Sequence, residues 1–356
     1  MYAKLMLCAV ALFMACKVLA VQLTPQEALA RMNSTQTQAK GVVSDNSSLQ
    51  LVYTSTFKGN NTYYVFNKGN EDGFVILSAD DSMPAVLADV EGASFDYDNI
   101  PENMKWWLSQ YDYSIYSYAS QGKKYARSVA KKNIAPLLGG IAWGQRYPYN
   151  LTCPEYDGEH AVTGCVATAI AQIMRMHKWP KQGAGKCEYD CNFQYDYDND
   201  TPIKKIITLS ADLSKSTYQW DKMPDTYVGR ETMEQKFAVA QLMYDCGVAS
   251  KMSYGLSGSG AYGFDAYRAL IVNFNYDKNA KYLMRYLYED DEWETMVYEN
   301  LRKGLPLFYD GAANNGTAHA FVCDGYKADG NLFHFNWGWG GFCDGYFLMS
   351  GKDSTV

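Results

Sequence analysis

The sequence predicts an α+β fold, because segments with strand character and segments with helical periodicity occupy separate parts of the chain. Short runs rich in apolar and aromatic residues at 49–53, 63–66 and 73–78 are typical of strands joined by turns. Aromatic residues at near-helical spacing predict a helix across 106–118. A second helix is expected to open at Thr163, whose hydroxyl can cap it.

The composition fits a globular protein and argues against two classes of partner. Hydrophobic residues make up 47% of the 356 residues and charged residues 20%, both ordinary for a folded chain. The net charge is -7, and no stripe of the sequence is dense in lysine and arginine. Neither nucleic acid nor an anionic membrane surface is therefore expected as the main partner.

Residues 1–20 have the features of a signal peptide, so the protein is expected to be secreted or held at the cell surface. An apolar run at 5–14 follows Lys4, and the stretch 18–20, which ends in alanine, suits cleavage. No later segment approaches about 18 uninterrupted apolar residues, so no membrane span is predicted. A lipoprotein acylated at Cys16 is the alternative, although the usual small residue before the preceding alanine is missing.

A basic connector divides the rest of the chain. Lysine and arginine recur between 123 and 132, ahead of a stretch with proline and glycine at 136–140. Such a loop is a site that a protease could cut, although its composition is equally compatible with a simple solvated loop. The segments 21–132 and 133–356 are therefore predicted to be separate domains.

The cysteine count favours one reactive thiol. Two of the nine cysteines, Cys8 and Cys16, fall within the signal peptide, which leaves an odd number, seven, in the exported chain. The sequence does not choose among the possible pairings of the others. Cys187 and Cys191 lack a second closely spaced cysteine or histidine pair, so ordinary thiols or a loop disulfide are expected there, and no metal.

Cys165 is the candidate nucleophile, because it falls in the first turn of the helix predicted from Thr163. Unpaired backbone N–H groups and the helix dipole at such an end stabilise an anion, which lowers the pKa of a thiol. A buried structural cysteine is an equally good interpretation of this segment alone. The choice depends on whether a base can reach the sulfur.

Four histidines are available as that base. His177 lies at the far end of the same predicted helix and His160 in a loop before it, so neither is expected to reach the sulfur. His334 lies within a predicted strand, where a packed or hydrogen-bonded role is favoured. His319 follows a loop and opens the strand 320–323, so its ring can face a cleft.

Two further features could complete the site. Gln145 offers a side-chain N–H that, with the backbone N–H of Cys165, could bind an oxyanion. The turn at 336–341 carries indoles that can cover the ring of His319, and Asn336 has an amide that can fix the tautomer of that ring.

Together these motifs resemble the streptopain (interpain) family of papain-like cysteine peptidases, peptidase family C10. The similarity extends from about residue 70 to 350. It rests on Gln145 with PYNL at 148–151, TGCVATA at 163–169, GLPL at 304–307, HAFV at 319–322 and NWGWGG at 336–341. Residues 73–81, 101–103 and 105–108 also resemble the inhibitory propeptide of that family.

The resemblance implies a papain-like two-lobed fold, with a helical lobe and an antiparallel β-sheet lobe, preceded by an α+β propeptide domain. Residues 1–20 would be the signal peptide, 21–132 the inhibitory propeptide and 133–356 the catalytic domain. The protein would be a secreted cysteine endopeptidase made as a zymogen, without a metal or organic cofactor. It would hydrolyse proteins and peptides, favour a hydrophobic side chain next to the scissile residue, and be inhibited by its own propeptide.

The resemblance also implies roles for individual residues. Cys165 corresponds to the nucleophile, His319 to the general base and acid, and Gln145 to the oxyanion-hole glutamine. Trp337 corresponds to the tryptophan that adjoins the histidine, and Asn336 is the second candidate for orienting it. The residues that align with the substrate-contacting stretches are Ser259, Gly260 and Ala318.

The chain departs from streptopain after residues 345–349, because it stops at Val356 where streptopain continues through a glycine-rich loop and a final strand. A missing loop could open the cleft or leave an edge strand exposed. A non-catalytic binding protein on the same fold is the alternative function. An amidase or a transglutaminase-like enzyme that uses the same Cys165 and His319 is also chemically allowed. A binding protein has no need to keep nucleophile, base and oxyanion donor together, which favours the peptidase.

Overall fold

The computed structural model describes residues 21–40, 49–69, 72–125, 131–198, 201–312 and 318–349. The predicted signal peptide and part of the basic connector lie outside the described residues. The α-helices are α1 (Pro25–Lys40), α2 (Glu102–Gln121), α3 (Cys165–His177), α4 (Met233–Ala249), α5 (Gly263–Val272) and α6 (Asp290–Leu301). The strands are β1 (Leu49–Phe57), β2 (Asn60–Lys68), β3 (Phe74–Ser78), β4 (Val86–Val90), β5 (Glu155–Tyr156), β6 (Glu159–His160), β7 (Lys186–Asp198), β8 (Thr201–Asp212), β9 (Leu307–Ala312), β10 (Ala318–Lys327), β11 (Leu332–Asn336) and β12 (Gly345–Leu348). No described helix combines the length and the apolar character that crossing a membrane requires.

One eight-stranded antiparallel sheet runs through both predicted domains, in the order β1-β2-β3-β4-β12-β11-β10-β9. Its N-terminal and C-terminal halves meet where β4 pairs with β12, so that Val90 lies opposite Gly345 and Ala88 opposite Phe347. Strand β12 therefore has a partner on each side. The exposed edge considered for residues 345–349 is not found, because β4 from the N-terminal region covers it.

The two faces of the C-terminal half of the sheet pack against different cores, because successive side chains of a strand point to opposite faces. On β10, Ala320 and Val322 face a core formed with α3, α4 and α5. Phe321 and Cys323 face a second core, to which α2 and α6 contribute. This alternation decides on which side of the sheet each side chain at the start of β10 is found.

Helix α2 joins strands β2, β3 and β4 of the N-terminal region in the second core. It follows Pro101, and it ends at Gly122, which adopts the left-handed conformation with φ 62°. The helix predicted across 106–118 is therefore confirmed. Trp107 and Tyr111 on its inward face are almost completely buried, so the helix is held by aromatic packing.

The cysteines that follow the predicted signal peptide, from Cys153 to Cys343, are all free thiols. Cys187 and Cys191 both lie on β7. Four positions along a strand correspond to about 13 Å, which is too far for a disulfide between them. Of the two possibilities left open for this pair, the structure shows ordinary thiols.

Candidate active site

Cys165 is the first residue of α3, so its predicted position in the first turn of a helix is confirmed. Gly164 precedes it with φ 84°, and a Cβ at that position would lie 2.7 Å from the sulfur of Met252. Only glycine suits this backbone, which approaches its neighbours closely where the helix begins. The predicted cap at Thr163 is wrong, because its hydroxyl bonds Thr168 at 2.9 Å and no side chain caps the helix.

Burial and backbone N–H groups act against each other at the thiol of Cys165. Desolvation raises its pKa above the ordinary value, and the charge of Asp310 acts in the same direction. The backbone N–H groups of Ala320, Val166 and Cys165 itself lower the pKa, as expected at the start of a helix. The net shift is upward, so the protonated thiol is favoured in this structure.

Gln145 lies beside the start of α3. Its carbonyl oxygen accepts a hydrogen bond at 3.0 Å from the N–H of Thr163, just before the nucleophile candidate. The neighbouring Trp143 is fixed to the same helix, because its N–H donates to the side-chain oxygen of Gln172 at 3.0 Å. The backbone of Gln145 is therefore close to the turn that precedes Cys165.

His319, at the start of β10, is buried among aromatic rings. It is 5% exposed, and its ring centroid lies 5.0 Å from that of Trp339, 6.0 Å from that of Trp337 and 6.3 Å from that of Phe321. Its Nε2 donates to the carbonyl oxygen of Trp337 at 2.8 Å, since a carbonyl can only accept. Burial lowers the pKa of the ring to about 4, although this hydrogen bond acts in the opposite direction.

The described structure contains no hydrogen bond between Cys165 and His319. The imidazole stacks with Phe321 on one face of the sheet, whereas Cys165 packs against the core on the other face, to which Ala320 belongs. The two candidates therefore stand at the same end of β10 but on opposite sides of it. The physical reason is strand alternation, together with aromatic partners for the histidine on the face that α2 covers.

Trp337 and Asn336 hold the turn after β11 in different ways. The carbonyl of Trp337 accepts a hydrogen bond from His319, and the Trp337 side chain is 1% exposed. Asn336 contacts other parts of the site: its Oδ1 accepts from Gln172 at 2.9 Å, and its Nδ2 donates to the carbonyl of Ile141 at 2.9 Å. In this structure the histidine is thus held by the backbone of Trp337 and not by the amide of Asn336.

The three residues assigned to substrate contact border the same site. The carbonyl oxygen of Ser259 would lie 3.0 Å from a Cβ on Gly164, so its loop touches the turn before α3. Gly260 follows on that loop. Ala318 is exposed and immediately precedes His319 on β10. Ser259 and Gly260 therefore lie beside the turn before α3, whereas Ala318 adjoins His319 along the chain but, by strand alternation, shares the face of Ala320.

Helix α2 is the part of the site that sequence reasoning missed. The ring of Trp107 packs edge-on against Phe335, Phe321 and Trp337, with centroid distances of 5.1, 5.9 and 6.1 Å. Since Phe321 and Trp337 also contact His319, the N-terminal helix and the histidine share one aromatic cluster. The adjacent tryptophans at 106–107 were the available signal, because such large apolar surfaces are seldom left exposed.

Comparison with known proteins decides the family. A model of the Peptidase C10 family matches residues 143–347, and a model of the Spi protease inhibitor matches residues 20–115. The chain belongs to the peptidase C10 family.

Two named relatives extend the similarity over most of this C10 peptidase. It is 35% identical over 320 residues to the thiol protease/hemagglutinin PrtT of Porphyromonas gingivalis, a match that covers 85% of this chain and 35% of PrtT. It is 36% identical over 308 residues to streptopain of Streptococcus pyogenes, covering 82% of this chain and 75% of streptopain. The chain thus spans 35% of the length of PrtT and 75% of that of streptopain.

Two solved structures from Prevotella intermedia are similar in fold. A mutant fragment of prointerpain A matches with a TM-score of 0.72 and 35% identity, over 86% of this chain and 94% of the fragment. Active wild-type interpain A matches with a TM-score of 0.55 and 37% identity, over 62% of this chain and 91% of interpain A. The pro-form covers more of this C10 peptidase than the active enzyme does, which agrees with a propeptide domain at the N-terminus.

The comparisons confirm the predicted family and the predicted papain-like α+β fold with its propeptide domain. They also confirm the enzyme class, a cysteine peptidase made with a propeptide. The alternative of a non-catalytic binding protein is not favoured, because the matched proteins include a thiol protease and an active cysteine protease.

Proposed function

We propose that this C10 peptidase is a secreted endopeptidase, made as a zymogen, in which Cys165 is the nucleophile, His319 the general base and acid, and Gln145 the oxyanion donor. The observation that carries the proposal is the arrangement at the start of α3. A cysteine stands there among backbone N–H groups with Gln145 beside it. These are the groups that acyl transfer through a thiolate needs.

The reaction proceeds in two steps once His319 has reached the sulfur and has taken the thiol proton of Cys165, which leaves a thiolate and an imidazolium. The thiolate of Cys165 attacks the peptide carbonyl carbon, and the oxyanion that forms is bound by Gln145 and a backbone N–H. Collapse of this intermediate breaks the C–N bond, and the leaving amine takes a proton from His319, which leaves an acyl-enzyme. Water that gives a proton to His319 then attacks the acyl carbon, and the carboxylic acid departs as the thiolate returns.

Latency in this proposal comes from the position of the base. Residues 21–132 are the propeptide and 133–356 the catalytic domain, and their strands form one sheet. Trp107 of the propeptide packs on the rings that enclose His319. Release of the propeptide removes this cover and the β4 partner of β12, so that the imidazole can turn towards Cys165.

Export and substrate class complete the proposal. The apolar run after Lys4 suits a signal peptide over residues 1–20, so the enzyme would act outside the cell. Its substrates would be proteins and peptides, bound along Ser259, Gly260 and Ala318. The propeptide would be an intramolecular inhibitor, which is supported by the inhibitor-family match over residues 20–115.

The experiment that tests the proposal incubates the purified precursor with dithiothreitol and follows its mass and its cleavage of casein. The wild type is expected to lose the N-terminal region up to the connector and to begin to cleave casein. A Cys165→Ala precursor should stay intact and inactive. Casein cleavage by the Cys165→Ala protein at the wild-type rate would show that the nucleophile is wrong. A wild-type protein that cleaves no casein after it has been cut at the connector would favour the alternative of a non-catalytic binding protein.

A further inference from the structure

Asp310 is an acidic side chain near Cys165 that the proposed mechanism does not use. It lies on β9 directly opposite Ala320 of β10, whose backbone N–H is close to the Cys165 sulfur. Its charge is near enough to raise the pKa of that thiol. Opposite residues of antiparallel strands have Cα atoms about 4.5–5.5 Å apart, so Asp310 lies within one or two substrate residues of the sulfur.

Strand alternation places Asp310 on the same face of the sheet as Cys165. Phe308, on the same side of β9, packs against the core around α3. The intervening Tyr309 packs against the core that α2 covers. The carboxylate therefore belongs to the nucleophile side of the site and not to the propeptide side.

Asp310 is open to solvent on one side and fixed in position, although partial burial of its carboxyl raises the pKa above the ordinary value. The hydroxyl of Tyr282 lies 3.1 and 3.3 Å from its two oxygens and donates its single proton to this carboxylate. The start of α5 abuts the carboxylate so closely that a Cβ on Gly263 would lie 2.3 Å from Oδ2. An exposed acceptor that is held in this way can receive a charge-assisted hydrogen bond from a bound peptide.

No lysine or arginine nitrogen of the described residues lies within 4.0 Å of this carboxylate. Asp310 lines a cavity of about 470 Å³ at the edge strand β9, whose walls include Trp106 and Trp107 of α2 as well as Leu283, Met284 and Phe308. The last three walls remain once the N-terminal region has been released. Lys281 lines the same cavity without forming an ion pair with Asp310 at that distance. An acid beside apolar walls is matched by a side chain with an aliphatic stem and a cationic end, as in lysine and arginine.

We propose that Asp310 is a specificity-determining residue that selects peptide substrates with lysine or arginine next to the scissile residue. This inference rests on the proposed peptidase function of the same site. It changes the substrate class implied by the family resemblance, which is a hydrophobic side chain at that position. The apolar walls keep a role, because they contact the stem of the basic side chain.

The test compares matured wild-type enzyme with Asp310→Asn on pairs of fluorogenic peptides. Within a pair, lysine next to the scissile residue is replaced by norleucine, which keeps the stem and removes the charge. The wild type should favour the lysine peptide in kcat/KM by about tenfold, since a hydrogen bond to a charged group contributes on that order. Asp310→Asn should lose this factor for the lysine peptide and keep its kcat/KM for the norleucine peptide within about twofold.

One control variant separates specificity from general effects. Asp265→Asn removes a nearby negative charge, 3.9 Å from Arg268 in the first turn of α5, and should keep the preference for lysine. Tyr282→Phe removes the hydroxyl that holds the carboxylate of Asp310, so it should reduce the preference for lysine without abolishing it.

Three results would overturn the assignment of Asp310. They are a wild-type preference for norleucine, an equal loss on both peptides in Asp310→Asn, and a lysine preference that Asp310→Asn retains. Cleavage of the norleucine peptide that disappears in Cys165→Ala would show in each case that the proposed peptidase function still stands.

Discussion

The two proposed catalytic residues of this C10 peptidase are prepared to different degrees. Cys165 stands at the start of α3 with Gln145 and backbone N–H groups around it, an arrangement fixed by the helix and by the turn at Gly164. His319 lies on the other face of β10, enclosed by aromatic rings and bonded to the backbone of Trp337. In the proposed mechanism this difference assigns latency mainly to the position of the base.

The two regions also depend on different parts of the chain. The surroundings of Cys165 are built within the catalytic domain, whereas those of His319 include a helix and a strand of the N-terminal region. Trp107 contacts Trp337, and β4 pairs with β12. Changes to the N-terminal region should therefore affect the histidine side first, and changes around α3 should affect catalysis without affecting latency.

The largest expected effect is that of Trp107→Ala, which removes the propeptide ring from the histidine cluster. Trp107 is 6% exposed and contacts three buried rings. Truncation of a buried tryptophan costs about 3–5 kcal/mol, because transfer energy is lost and a cavity remains. Urea unfolding of the precursor, carried out in a Cys165→Ala background, should show this decrease in the free energy of unfolding.

The same substitution should separate latency from catalysis. With Cys165 intact, Trp107→Ala should cleave casein earlier than the wild type, and the matured enzymes should have equal kcat/KM because residue 107 has been removed. Trp179→Ala is the matched control, since this indole is 48% exposed; its effect on stability should be about 1 kcal/mol or less. A Trp107→Ala precursor with wild-type stability and latency would contradict the role given to α2.

On the cysteine side, Gln145→Ala should reduce kcat of the matured enzyme by about 10²–10³, the effect of removing one oxyanion donor. The stability of the precursor should not change, because the hydrogen bond from Thr163 goes to the backbone carbonyl of Gln145, which alanine retains. Arg146→Ala, at the exposed next position, is the control. An unaltered kcat in Gln145→Ala would exclude its side chain from the oxyanion hole.

The burial of His319 should make the stability of the precursor depend on pH. Desolvation lowers the pKa of this histidine from 6.5 to about 4, so between these pH values the unfolded chain binds a proton that the folded precursor does not bind. The free energy of unfolding therefore decreases as pH falls from 6.5 towards 4, by roughly 3 kcal/mol in total. Burial raises the pKa of Asp344 to about 7, and this carboxyl acts in the opposite direction over an overlapping range. A single pH curve would therefore mix the two.

Comparison of the Cys165→Ala precursor with a Cys165→Ala, His319→Gln precursor isolates the histidine. Asp344 is present in both proteins, so the difference between their free energies of unfolding should change by roughly 3 kcal/mol between pH 6.5 and pH 4. Urea titrations at several pH values provide the measurement. Parallel curves would mean that His319 is not held neutral in the precursor.

Sequence reasoning succeeded where local chemistry decides the structure. Aromatic spacing indicated α2, and the segment that follows Thr163 indicated that Cys165 lies in the first turn of a helix. The cap at Thr163 was wrong, because the backbone conformation of Gly164, rather than a hydroxyl, shapes the start of α3. A Cβ at residue 164 would also collide with Met252, which is distant in sequence.

The face of the sheet on which His319 lies could not be predicted in the same way. It depends on packing between Trp107 and Trp337, which only the folded chain brings together. Asp310 was missed for a similar reason, because a single aspartate in a strand has no local signature. Only its register opposite Ala320 marks it as part of the site.

The smallest expected effect concerns the ionic contact across the junction of the two halves of the sheet. Asp89 of β4 forms ion pairs with Lys68 and with Lys327 of the C-terminal half, each at 2.5 Å. Burial raises the pKa of Asp89 and the two lysines lower it, with a net decrease. The carboxylate therefore contributes stability above its ordinary pKa, and this contribution is lost only as pH falls below that value.

Asp89→Asn should destabilise the precursor by about 1–2 kcal/mol, since the three side chains are only partly buried and solvent screens the pairs. It should shorten the lag before casein cleavage less than Trp107→Ala does, because it loosens the β4–β12 junction without opening the histidine cluster. Asp221→Asn, which breaks an exposed pair with Lys178, is the control and should change neither quantity measurably. If Asp89→Asn shortened the lag as much as Trp107→Ala, the sheet junction rather than the aromatic cluster would control the position of His319.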